Sequence, residues 1–338
     1  MRSTLPFLLI ALLVVPAAAD EPDATARFFR QYDRDGDGRL SRAEWPTFLD
    51  AFFGEVDANR DGYVDAAEDR RARERPTRKP RLPAPTHAGL RYGPHARNVV
   101  DLWCAESEEA TPFVVYFHGG GFRAGDKRSL NPDLLRRLHE GGVSVAAANY
   151  RLTDTAPFPA PMHDAGRAVQ YLRHHAKRFG LDPQRVGATG GSAGAGISLW
   201  LAFHDDLAKP DAEDPVARES TRLACAVVYG GQSSYDPRVI RELFDTTKLH
   251  PALVPFYGME SEDDVDDPRW FPLYEEASPI THLTADDPPV YLYYPQANDP
   301  LPPDSTGGQH IHHPIFGFHL AERAEAVGVS CTVRLRED

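Results

Sequence analysis

Val186-Gly187-Ala188-Thr189-Gly190-Gly191-Ser192-Ala193-Gly194 passes from a short apolar run into a serine framed by glycines, and a helix-like stretch from Ala193 to His204 follows. Strand, G-x-S-x-G and helix in that order are the setting of a nucleophile elbow, a strained turn that lifts the Ser192 hydroxyl clear of a sheet. Gly and Ser also fill ordinary loops, so this motif alone is weak. Upstream, His118-Gly119-Gly120-Gly121 follows its own strand-like run, Pro112 to Phe117, at the place of an oxyanion loop. Attack on an acyl carbon builds negative charge on the carbonyl oxygen, and fixed backbone N–H groups stabilise it without reorganising. Gly120, Gly121 and Ala193 are the expected donors. His118 is expected to shape its loop and not to transfer protons.

Outward from this stretch, β-branched or apolar runs recur at 98–104, 112–117, 143–149, 186–189, 223–229, 289–294 and 330–335. Helix-like segments at 132–139, 162–179, 193–204 and 315–327 lie between several of them. Strands alternating with helices predict an α/β fold with a mostly parallel sheet covered on both faces. Residues 231–280 fit the rhythm poorly and read as an insertion, a lid or pocket wall.

Tyr92-Gly93, Asp101-Leu102, HGGGFRAGDK (118–127), NYRL (149–152), FPAPMHD (158–164), LDPQRVGATGGSAG (181–194) and DDPPVYLYY (286–294) together resemble the α/β-hydrolase esterases of the hormone-sensitive-lipase and carbohydrate-esterase-like type. The resemblance spans about residues 88 to 336. It implies an α/β-hydrolase fold acting on small-molecule or carbohydrate esters, with Ser192 as nucleophile and Asp299 nearest the acid position. QANDPLPPD departs from the usual turn and leaves Asp304 as a competitor. The family sets its catalytic histidine just after the last strand, here 330–335, yet no histidine follows His319. Three readings stay open: a chain truncated at its carboxyl end, a lost base, or a base drawn from elsewhere. His310, His312 and His313 (HIHHP) stand soon after Asp299, and one of them, His312 as the candidate, could approach Ser192 from a loop. The bland alternative makes all three structural or surface residues. Without a base a serine hydroxyl is a poor nucleophile at neutral pH. A non-catalytic, calcium-dependent extracellular binding module therefore stands as the competing reading.

Near the amino end, 33–44 (DRDGDGRLSRAE) and 57–68 (DANRDGYVDAAE) both satisfy the EF-hand loop, with side-chain oxygens at positions 1, 3, 5 and 9, a carbonyl at 7, Gly at 6 and a bidentate carboxylate at 12. The predicted calcium ligands are Asp33, Asp35, Asp37, the Arg39 carbonyl, Ser41 and Glu44, then Asp57, Asn59, Asp61, the Tyr63 carbonyl, Asp65 and Glu68, giving two Ca2+ sites. A solvated acidic face would not explain the spacing, the glycines, or the apolar Leu40 and Val64 at position 8. One short helix is expected over 45–56. A structural, permanently filled calcium role is expected outside the cytosol, where weak extracellular sites suffice.

Residues 1–19, with Arg2, an apolar run from Leu5 to Val15 and Ala17-Ala18-Ala19, read as a signal peptide and predict a secreted or periplasmic protein. Residues 20–69 would then be the EF-hand pair, 70–87 a basic Pro-rich linker and 88–338 the hydrolase-like domain. No segment is long and apolar enough to predict a transmembrane span. A net charge of −13 over 338 residues argues against a general nucleic-acid surface. Cys104, Cys225 and Cys331 lack metal-ligand spacing and an even count, which predicts buried free thiols.

Overall fold

The computed structural model describes residues 24–45, 53–74, 81–302 and 304–336. They fall into two compact units, residues 1–81 and 82–338. The expected signal peptide lies outside the described residues.

In the small unit, helix Ala24–Tyr32 leads to strand β1 (Arg39–Ser41), and helix Phe53–Val56 to strand β2 (Tyr63–Asp65) and helix Ala66–Glu74. β1 and β2 pair antiparallel with Leu40 opposite Val64. Both side chains are fully buried, since alternation along each strand turns position 8 inward while its neighbours serve the loops. Phe28, Phe29, Trp45, Phe53, Val56 and Ala72 complete this core. Of the helix expected over 45–56, Phe53–Val56 is helical and Trp45 lies in a bend ahead of it. The part between them lies outside the described residues. The linker expected from residue 70 is corrected at its start, because helix Ala66–Glu74 continues into it. Its other end is corrected too: Leu82 packs with Trp103, Leu130 and Leu135 in the large unit.

The large unit is built on β3 (His87–Arg91), β4 (Val99–Trp103), β5 (Thr111–Phe117), β6 (Ser144–Ala148), β7 (Leu181–Gly191), β8 (Cys225–Tyr229), β9 (Val290–Tyr294) and β10 (Cys331–Leu335). Their order across one sheet is β10-β9-β8-β7-β5-β6-β4-β3. β4 runs antiparallel to β3 and β6, and the strands from β6 to β10 pair parallel. β5, and β7 from Val186 on, central and flanked by strands on both sides, are buried and carry few polar residues, as strands buried on both faces must. Helix Ala193–Phe203 is apolar all round and buried along its length, which fits a helix enclosed by the sheet and its neighbours. Covering on both faces is incomplete: Val227, Tyr229, Tyr291 and Tyr293 are exposed, so one face of β8 and β9 stands open among the described residues. The three cysteines are free and only half-buried.

Candidate active site

Ser192 sits between β7 and helix Ala193–Phe203 with φ +54° and ψ −122°. A non-glycine residue there costs about 1–3 kcal/mol, and the surroundings enforce it. Its amide donates to the Tyr229 carbonyl on β8 (3.2 Å), and its carbonyl accepts from the Gly196 amide at 3.0 Å. A Cβ on Gly194 would lie 2.0 Å from the Phe117 carbonyl oxygen, so only glycine lets the end of β5 press against the turn.

That contact brings the loop leaving β5 to Ser192. A Cβ on Gly119 would stand 3.4 Å from Ser192 Cβ. Gly120 has φ +114° and Gly121 φ +58°, and the Gly120 carbonyl accepts the amides of Arg123 and Ala124. His118 is fully buried. It stacks on Tyr150 with ring centroids 4.3 Å apart and donates Nδ1–H to the Gly119 carbonyl at 2.8 Å. Its Nε2 then accepts from Arg97 Nη2 at 3.1 Å. Burial, with the Arg97 charge opposing protonation as well, pushes its pKa down to about 4. His118 is a neutral strut for the loop and has no path to Ser192.

The residue against the nucleophile is His312. The Ser192 hydroxyl donates to His312 Nε2 at 2.9 Å. Burial first, then the neighbouring His250, lowers the His312 pKa below 6.5, which keeps its lone pair free at neutral pH. The other two histidines of HIHHP serve elsewhere. His310 is buried, bonded to Ser305 Oγ at 2.8 Å and stacked on Phe244. His313 donates Nε2–H to the Asp299 carbonyl at 2.9 Å and accepts the Ile315 amide. One turn of chain thus sends its middle histidine to the serine while the flanking two anchor it.

Asp299 touches this cluster through its backbone, not its carboxylate. Asp304, likewise exposed, meets Lys248 Nζ through its carbonyl. Among the described residues no carboxylate is hydrogen-bonded to His312, so the expected acid-to-base contact from Asp299 is absent here. Sequence reading had nothing to separate His312 from its neighbours, because the choice rests on which way a short turn points.

Beside Ser192 opens a narrow, mostly apolar pocket walled by Gly121, Phe122, Tyr235, Leu253, Phe256 and Phe316 among others. Tyr235, Ile240, His250, Leu253 and Phe256 belong to the 231–280 insertion, which therefore forms much of the wall.

In the small unit, one carboxylate oxygen from each of Asp33, Asp35 and Asp37 lies within 4.8 Å of the others. Asp33 accepts the Gly36 and Gly38 amides (2.8 and 3.0 Å), and Asp57 those of Asp61 and Gly62 (3.2 and 3.1 Å). Glu44 closes its loop on the Ser41 hydroxyl (2.7 Å) and Arg34 amide (3.0 Å), contacts that hold its carboxyl down at about 2. Glu68 closes the second loop on the Ala58 amide at 2.9 Å, and Asp65 accepts the Glu68 amide at 2.8 Å. Asn59 and Asp61 bond side chain to side chain at 3.1 Å. Arg39 and Tyr63 open β1 and β2. Grouped oxygens on preformed loops fit a hard cation such as Ca2+.

A family model described as BD-FAE matches residues 100–307. The chain belongs to this family of α/β-hydrolase esterases. The EF-hand model matches 26–49 and 49–68. The probable carboxylic ester hydrolase LipM of Mycobacterium tuberculosis is 30% identical over 226 residues, covering 63% of this chain and 48% of LipM. Esterase LipQ of the same organism is 28% identical over 240 residues, covering 67% and 53%. The chain thus spans about half the length of these relatives. Among solved structures, an acetyl ester-xyloside bifunctional hydrolase from Caldicellulosiruptor lactoaceticus superposes with TM-score 0.58 at 20% identity, covering 75% of this chain and 86% of the other. A truncated carbohydrate esterase from gut microbiota gives 0.58 at 18%, covering 74% and 86%. At such identities the likeness establishes the fold.

Proposed function

We propose that the large unit hydrolyses carboxylic esters through Ser192 and His312. Ser192 Oγ attacks the acyl carbon while its proton passes to His312 Nε2. The Gly120, Gly121 and Ala193 amides hold the oxyanion. Collapse breaks the ester bond, His312 returns the proton to the leaving alcohol, and water attacks the acyl-serine by the same route with Ser192 as leaving group. The observation that carries this reading is the 2.9 Å contact between Ser192 Oγ and His312 Nε2. Asp299 keeps the acid role only if its loop turns the carboxylate onto His312 Nδ1. The apolar wall beside Ser192 suits a small-molecule or carbohydrate ester, in keeping with the carbohydrate-ester enzymes among the structural neighbours. Hydrolysis of p-nitrophenyl acetate tests it. Ser192→Ala and His312→Ala should each lose activity, the latter by about 10²–10⁴-fold as expected for a general base. Turnover unchanged in Ser192→Ala would overturn the reading, and ligand retention with no turnover in the parent protein would favour the binding module.

The small unit is proposed to bind two Ca2+ ions in a structural role, and the leader at 1–19 to direct secretion or periplasmic export. Calorimetry should count two ions, with Glu68→Gln weakening one of them; a single site unaffected by Glu68→Gln would contradict this. Mass measurement of the mature protein tests removal of 1–19.

A further inference from the structure

A second cluster of donors lies at the other end of the nucleophile helix. One nitrogen each from His204 and His282 and one carboxylate oxygen of Glu276 all lie within 4.8 Å of one another. His204 caps helix Ala193–Phe203, on the order of 18 Å from Ser192 at the rise of an α-helix. Glu276 lies in helix Phe271–Ala277 and His282 ends the next short helix, so the cluster joins the nucleophile helix to the insertion that walls the pocket.

The hydrogen bonds orient both imidazole rings. His204 donates Nδ1–H to the Asp205 carbonyl at 2.8 Å, and its Nε2 faces Glu276 Oε1 at 2.9 Å, a gap that holds a proton in an imidazolium–carboxylate pair or a metal ion. A bare ring nitrogen and a carboxylate oxygen at that distance repel unless a proton or a metal ion lies between them. His282 donates Nε2–H to the Glu276 carbonyl at 2.8 Å, so its Nδ1 holds the lone pair. The same carbonyl accepts the indole N–H of fully buried Trp200 at 2.9 Å, and the His204 ring lies on that indole with centroids 3.9 Å apart. Both imidazoles are thus oriented through backbone carbonyls, the outer-shell arrangement usual for histidines that ligate metals.

We propose that His204, Glu276 and His282 form a binding site for a borderline divalent cation of the zinc class. Two imidazoles and one carboxylate suit Zn2+ and discriminate against Ca2+, which takes oxygen ligands. A zinc-class ion needs its ligands at about 2.0–2.2 Å, so the three side chains would close in around it from their present spacing of up to 4.8 Å. The Glu276 side chain is 45% exposed, which leaves room for water as a fourth ligand. The ion would clasp the far end of the nucleophile helix to the insertion and so hold the pocket wall in place, without contacting substrate.

The test is Zn2+ titration of the full chain against a chromophoric chelator, with Ca2+ in excess to fill the EF-hand loops, beside His204→Ala, Glu276→Gln and His282→Ala. Co2+ substitution supplies a visible spectrum. One equivalent is expected in the parent protein. Each variant should weaken binding by at least the about 10–100-fold that loss of an outer-shell partner costs, and the Co2+ bands should vanish in both histidine variants. Glu276→Gln changes a half-exposed side chain and keeps the comparison valid if a histidine variant misfolds. No binding by the parent, or equal binding in parent and Glu276→Gln, overturns the proposal and leaves an ordinary His–Glu ion pair.

Discussion

The buried His118 should make the large unit acid-labile well above the carboxylate range. Folding lowers its pKa from 6.5 to about 4, chiefly by burial, and a proton on Nε2 would also face the Arg97 guanidinium. The unfolded chain then binds the proton between pH 6.5 and 4 while the folded chain does not, so stability rises with pH in that window. The contribution is full above pH 6.5 and lost as pH falls toward 4. At about 1.4 kcal/mol for each tenfold in the proton equilibrium, His118 accounts for about 3 kcal/mol. Other histidines, His163, His250 and His319 among them, are lowered in the same direction by partial desolvation, so the parent slope contains their shares too. Urea unfolding at several pH values between 7.5 and 4.5, in saturating Ca2+ and followed by near-UV circular dichroism, isolates His118 when compared with His118→Asn. The variant is expected to be less stable at pH 7.5, having lost the stack on Tyr150, yet to lose about 3 kcal/mol less on acidification. Parallel pH dependences would refute the reasoning, and with it the assignment of His118 as a neutral strut.

Two further outcomes follow from the site. The acid limb of kcat/KM for ester hydrolysis should have its midpoint below 6.5, since Ser192 needs neutral His312 and burial lowers that pKa; a midpoint at or above 7 would contradict it. Gly194→Ala drives a methyl onto the Phe117 carbonyl, where neither backbone can yield cheaply. It should cost at least the about 1–3 kcal/mol of an overpacked core and abolish fluorophosphonate labelling, whereas parent-like stability would show that the β5 end is not held there.

Much of this was legible in the chain because local rules and global fold agree. Glycines flanking Ser192, the HGGG loop after β5 and the EF-hand spacing each demand one backbone geometry, and helix Ile315–Val327 was readable to the residue. The misses are long-range. β3 escaped notice because an exposed antiparallel edge strand, His87–Arg91, carries little apolar signal. The helix expected over 162–179 breaks at His175, giving Ala160–His174 and Ala176–Phe179. The partner of Ser192 lies 120 residues away, and no periodicity marks which histidine of HIHHP turns inward. The His204–Glu276–His282 cluster is invisible for the same reason, its members being brought together only when the insertion docks on the nucleophile helix.

The central claim is that His312 activates Ser192, and the rate of fluorophosphonate labelling followed by intact mass tests it most directly. One adduct on the parent protein, absent in Ser192→Ala and slowed by at least about 10²-fold in His312→Gln, is the predicted result. Labelling of His312→Gln at the parental rate would contradict the account.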